Sequence, residues 1–91
     1  MKGKQTMKIY LFNQYGDGES FTHGVYDNLE DVAQVVEKMV AHSRKVWGHT
    51  REESLKYFGI EVYDLNTYYE YGKSEIYYQS DIDKLLYPQN N

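Results

Sequence analysis

The stretch Leu29–Trp47 constrains the fold more than any other, because it carries the longest periodic signal in the chain. Leu29, Val32, Ala33, Val36, Met39, Val40, Ser43, Val46 and Trp47 recur at three- and four-residue spacings, which places them on one stripe of an α-helix. Glu30, Asp31, Gln34, Glu37, Lys38, Arg44 and Lys45 occupy mainly the rest of the cylinder. An apolar stripe this wide has to be covered by a sheet or another helix. Asp27 or Asn28 caps the start, with Asp27 and Glu30 at capping-box spacing. Arg44, Lys45 and Gly48 supply the cations and the left-handed stop of a helix end.

The flanking segments read as strands. Residues 8–12 hold Ile9, Tyr10, Leu11 and Phe12, a compact run of strand formers. Tyr15-Gly16-Asp17-Gly18 is loop chemistry with two glycines free to take positive φ, so a hairpin follows. In Glu19–Tyr26, Phe21, His23 and Val25 alternate with Ser20, Thr22, Gly24 and Tyr26, the pattern of a half-buried second strand. These glycines do not make a phosphate loop, since no Lys-Ser/Thr follows and the next element is a strand. Past the long helix, Thr50 and Glu53 repeat the capping signature and predict a short helix over 51–58, closed by Gly59. Residues 60–65, 68–71 and 74–79 have strand composition, the last two joined across Gly72-Lys73 as a hairpin with a type II′ turn. A last helical segment over 81–87, introduced by Ser80 and Asp83, carries Ile82, Leu85 and Leu86 and ends at Pro88.

The expected fold is therefore α+β: an antiparallel sheet of about four strands with one long amphipathic helix packed across one face, plus short helices at 51–58 and 81–87. Ile9, Leu11, Ile60 and Val62 are the most aliphatic strand positions, so the first strand and the 60–65 strand are expected to pair in the middle. A chain of 91 residues buries only about 60 to 65% of its unfolded surface, enough for a single core. Residues 1–6, polar and basic with Lys2 and Lys4, read as a disordered tail or a non-native addition. Residues 7–87 form one domain, and 88–91 a mobile tail.

Composition narrows the function classes. With no cysteine there is no disulfide framework, Cys-type zinc site or thiol nucleophile. No apolar run is long enough for a signal-peptide core or a membrane span, so a soluble, cytoplasmic protein without membrane attachment is expected. A net charge of −4 argues against general binding to nucleic acid, although a local basic patch escapes that argument.

The opening Met7-Lys8-Ile9-Tyr10, the glycine-bearing hairpin, and Gly24-Val25-Tyr26 followed by Leu29-Glu30-Asp31-Val32 at a helix entry span about the first third of the chain. This pattern resembles the start of many short uncharacterised phage and prophage proteins. The resemblance implies an origin and makes inhibitors of host defence or host enzymes admissible functions. It carries no functional residue across.

Two segments carry candidate binding chemistry. Tyr63, Tyr68, Tyr69, Tyr71, Tyr77 and Tyr78 put six rings within sixteen residues, and strand alternation forbids all of them from facing the core. Together with Glu61, Asp64, Glu70 and Glu75 they predict a protein-binding face over residues 61–78, since tyrosine is favoured at interfaces. The same residues also suit half-buried strands without any partner. The alternative segment is His42, Arg44, Lys45, Trp47, His49 and Arg51, the most cationic window of the chain, where a helix start and an indole ring offer a place for an anionic ligand or RNA. Helix termination accounts for the same cations, and Trp47 at the end of the apolar stripe is expected in the core. His23, His42 and His49 lack the short-range spacing of a metal site; a partly buried His23 and two surface histidines are expected instead. The serines lie in no nucleophile-elbow context, and the acid pairs Glu52/Glu53 and Asp81/Asp83 are first-turn helix charges. The expectation is a non-enzymatic binding protein with no cofactor and no metal, another protein as partner, and a homodimer covering its sheet edges.

Overall fold

The computed structural model describes residues 7–72 and 74–89. The element order is β1 (Lys8–Gly16), β2 (Glu19–Tyr26), α1 (Leu29–Trp47), α2 (Arg51–Leu55), β3 (Phe58–Asp64), β4 (Glu75–Tyr78) and α3 (Ser80–Leu86). The four strands form one antiparallel sheet in the order β2-β1-β3-β4, with β1 and β3 in the middle as their aliphatic content predicts. The fold is α+β, with the helices gathered on one side of the sheet.

Strand β1 runs past the apolar stretch to Gly16, and only Asp17 and Gly18 turn the chain, both at positive φ (49° and 76°). Two consecutive positive φ values are what a two-residue type I′ hairpin requires, and Asp-Gly supplies them. Gly16 thus belongs to the strand rather than the loop. Across the hairpin, Phe12 pairs with Gly24 but Asn13 pairs with Thr22, which leaves His23 as a β-bulge. The bulge breaks the expected alternation of β2. Phe21 and Val25 fall on opposite faces, opposite Gln14 and Leu11, and both are largely exposed (58% and 64%). Tyr26 packs on the core instead, its ring folded back over Gly24 where any Cβ would stand.

Helix α1 starts at Asn28, whose side-chain oxygen accepts from the Asp31 amide at 2.8 Å, so Asn28 caps the helix and the Asp27/Glu30 box is not the device used. It ends at Gly48 (φ 71°), whose amide donates to the Arg44 carbonyl. Val32, Val36 and Val40 are its buried residues, and Val35 and Met39 pack beside them. The last turn does not close onto the sheet: a cleft separates it from the β1–β2 turn. Val46 is half exposed and Trp47 is 70% exposed, so the tryptophan is not a core residue as its place on the stripe predicts.

Thr50 and Glu53 form the predicted capping box, but α2 stops at Leu55 rather than 58. The sheet recaptures the chain there: the Tyr57 carbonyl accepts from the Tyr15 amide at 2.7 Å, and Phe58 is already paired with Gln14. Residues 68–71 are not a strand. They belong to a turn closed by the Gly72 amide on the Tyr69 carbonyl, and β4 takes the free edge of β3 directly, from Gly59↔Tyr78 to Val62↔Glu75. Lys73 of the predicted hairpin loop, residues 1–6, and Asn90 and Asn91 lie outside the described residues. Helix α3 starts one residue earlier than predicted, after Gln79 at φ 53°, and ends at Leu86 before Tyr87.

The buried cluster joins Phe12, Phe58, Ile60 and Val62 of the sheet to Val32, Val36 and Val40 of α1, Leu55 of α2 and Ile82 of α3. Phe12 and Phe58 meet edge to face with centroids 5.1 Å apart. Arg51 ties the three helices together. It donates to both Glu37 oxygens of α1 at 2.5 and 2.8 Å and to Asp83 of α3 at 2.8 Å, and the Tyr87 hydroxyl donates to Glu37 as well. These hydrogen bonds hold the Glu37 carboxyl below its ordinary pKa and raise that of Arg51.

Candidate functional site

With every helix on one side, the opposite face of the sheet is covered by no other element among the described residues. Side chains directly opposite in an antiparallel sheet share a face, so the register defines what this open face carries. One cross-strand row reads Val25, Leu11, Glu61, Ile76, and the next reads Thr22, Asn13, Gly59, Tyr78. Ile9 and Tyr63 lie beyond on one side and Tyr15 and Ser20 on the other.

A hydrogen-bond network crosses these rows. The Thr22 hydroxyl donates to the Asn13 carbonyl oxygen at 2.8 Å, and the Asn13 amide donates to Glu61 Oε1 at 2.7 Å and to the Tyr15 hydroxyl at 3.2 Å. The Tyr63 hydroxyl donates to Glu61 Oε2 at 2.7 Å. Asn13 is only 4% exposed although no element lies over it, because its neighbours on the face close around it. With both N–H groups and the oxygen engaged, its amide orientation is locked. Glu61 is half-buried, and each of its oxygens receives one neutral donor. Among the described residues no Lys, Arg or His pairs with it: the ion pairs join Lys8 to Asp64, Arg51 to Glu37 and Asp83, and Lys84 to Asp81.

The rings around this carboxylate are held by a glycine. A Cβ on Gly59 would stand 2.7 Å from Tyr15 Cε2 and 3.2 Å from Tyr78 Cε1, so the two rings rest on the backbone there, centroids 5.9 Å apart. Burial raises the pKa of the Tyr15 hydroxyl, leaving it neutral across the physiological range. Tyr69 meets Tyr63 edge to face at 5.5 Å, and its hydroxyl accepts from the Asp64 amide at 2.7 Å.

The predicted tyrosine and acid surface is therefore only partly assembled. Tyr63 and Tyr78 lie on the open face, and Tyr69 packs against Tyr63 from the loop that follows β3. Tyr77 turns to the other side and packs on the core, and Glu75 shares its parity. Tyr68, Glu70 and Tyr71 are exposed on the loop between β3 and β4. Asn13 and Tyr15 lie outside the surface that the sequence predicts, because the run of strand formers ends at Phe12. The alternation Leu11, Asn13, Tyr15 was the available signal.

No family model, curated protein or solved structure matches this chain. Its function has to be read from the geometry of these residues.

The predicted anion segment divides as well. His42, Trp47 and His49 line a cleft of about 420 Å³ between the β1–β2 turn, the end of α1 and α2, together with Met39, Ser43 and Tyr57. His49 is the half-buried histidine, 3.0 Å from Ser43 Oγ through Nδ1 and stacked on Tyr57, while His23 lies exposed against Gln14. Arg51 does not reach the cleft, being held by Glu37 and Asp83, and Arg44 and Lys45 are exposed in the last turn of α1 and do not line it. An anion in the cleft would meet two imidazoles but also the Asp17 carboxylate. Among the described residues no three His, Cys, Asp or Glu side chains gather as metal ligands, and no helix is long and apolar enough to cross a membrane.

Proposed function

We propose that the chain is a non-enzymatic binding protein, an accessory of phage or mobile-element type, that captures a host protein through the open face of its sheet. The observation that supports this most is a half-buried carboxylate set among Leu11, Ile76, Val25 and the rings of Tyr15, Tyr63 and Tyr78 on a face that no helix covers. Apolar and aromatic area around a few fixed polar groups is the composition of an interface core. The exposed Tyr68 and Tyr71 of the neighbouring loop extend the tyrosine surface beyond the sheet face.

The test is differential capture from the source cells with the wild type and a Val25→Asn/Ile76→Asn variant, both side chains being exposed enough to change without unfolding the core. A partner retained by the wild type and lost by the variant supports the reading; identical capture by both removes it. Homodimerisation is proposed alongside, because β2 and β4 are the outer strands and each leaves an edge that a second copy can pair with. Light scattering decides that point, and a monomer at micromolar concentration rejects it.

A further inference from the structure

On the basis of that reading, we infer that the partner inserts an arginine or lysine side chain onto Glu61, with its aliphatic stem against Leu11 and Ile76. The charge balance of the open face carries the inference. Glu61 is half-buried in the middle of the sheet, its cross-strand neighbours are Leu11 and Ile76, and no cation among the described residues faces it. A carboxylate drawn out of water among apolar side chains is costly unless its charge is compensated. Two neutral donors, Asn13 Nδ2 and the Tyr63 hydroxyl, each fill one acceptor position on one oxygen. A carboxylate offers about four such positions, so each oxygen keeps acceptor capacity toward the open side.

The surroundings suit a cation in particular. Tyr15 and Tyr78 lie over Gly59, next to Glu61 along β3, and offer the ring faces that attract ammonium and guanidinium groups. The methylene stem of lysine or arginine covers apolar surface while its head stays polar, which fits the row Val25, Leu11, Glu61, Ile76. Asn13, buried and with its amide locked by Thr22, fixes the carboxylate before any partner arrives, so little ordering cost falls on binding. The net charge of −4 attracts a basic segment at long range. A second copy of this chain is the poorer occupant, because the open-face rows carry no lysine or arginine among the described residues to set against the other copy's Glu61.

A random peptide library displayed on phage, panned against the full chain, tests this, with the enriched peptides measured by fluorescence anisotropy. The expected binders carry lysine or arginine next to apolar residues. Glu61→Gln, which keeps the shape and the oxygen that accepts from Asn13 while the Tyr63 hydroxyl turns to accept from the new amide, weakens them by about tenfold or more, as loss of a charge-assisted contact does. Replacing the basic residue of the peptide by norleucine or citrulline does the same on the unaltered protein, which keeps the test valid if the Glu61 variant folds poorly. Binders without a basic residue, or affinities within about twofold on Glu61→Gln while the neutral Val25→Asn/Ile76→Asn weakens them, overturn the inference and leave the open face as the binding surface. Binders indifferent to Val25→Asn/Ile76→Asn, or no enrichment, overturn both.

Discussion

Arg51→Met separates a structural from a ligand-binding role for the basic segment, because methionine keeps most of the aliphatic stem and removes only the guanidinium. In the wild type that group makes a two-pronged contact with Glu37 and a second ion pair with Asp83, with side-chain exposures of 32%, 42% and 40%. Pairs this open to solvent contribute about 0.2 to 1 kcal/mol each, the forked geometry lying toward the upper end, so the loss is about 1 to 2 kcal/mol. For a domain of this size that corresponds to a melting temperature lower by roughly 5 to 12 °C. The pH dependence follows from Glu37. Arg51 holds its folded-state pKa below the ordinary value, so the contribution is complete above the ordinary carboxylate pKa and is lost as pH falls through the depressed one. Thermal melts of wild type and Arg51→Met should differ fully at neutral pH and converge in acid, and about 1 M salt should shrink the gap. Melting within about 1 °C of wild type at neutral pH, or a gap that persists unchanged in acid, would refute the clamp.

Three further substitutions probe the packing. Ile82→Ala, at a fully buried position that ties α3 to the sheet, should cost about 2 to 5 kcal/mol in urea denaturation. Trp47→Ala should stay within about 0.5 kcal/mol, since the ring is mostly in solvent, and a larger loss would return it to the core. Gly59→Ala forces the Tyr15 and Tyr78 rings off the backbone, so a loss of about 1 to 3 kcal/mol with a changed near-ultraviolet tyrosine signal is expected, and an unchanged signal contradicts the packing.

How far the sequence reached follows from which interactions are local. The helix Leu29–Trp47, its Gly48 stop and the Thr50/Glu53 box depend on residues within four positions of one another, and all three were legible. The bulge at His23 is set by pairing between two strands, so the alternation of β2 could not reveal that Phe21 and Val25 face opposite ways. Residues 68–71 have the composition of a strand but find no strand partner, because β4 takes the β3 edge. Trp47 fits the apolar stripe, yet a cleft separates it from the β1–β2 turn, and stripe length alone carries no information on where the cover stops. At the candidate site, Tyr63, Tyr69 and Tyr78 were legible as rings on an outer surface. The link from Thr22 through Asn13 to Glu61 joins positions up to 48 residues apart and exists only once the register is known. Arg51 shows the converse: a cation at a helix start reads as an anion site until its two carboxylates, 14 and 32 residues away, come into place.

The most direct measurement is a titration of the isotope-labelled protein with the tightest peptide selected from the library, followed by NMR of its side-chain methyl and amide groups. Recognition through the open face predicts shifts at the methyls of Leu11, Val25 and Ile76 and at the Asn13 side-chain amide, with Val36 and Ile82 on the covered side unmoved. Shifts confined to Met39, His42 and His49 around the cleft, with Leu11 and Asn13 silent, would contradict it.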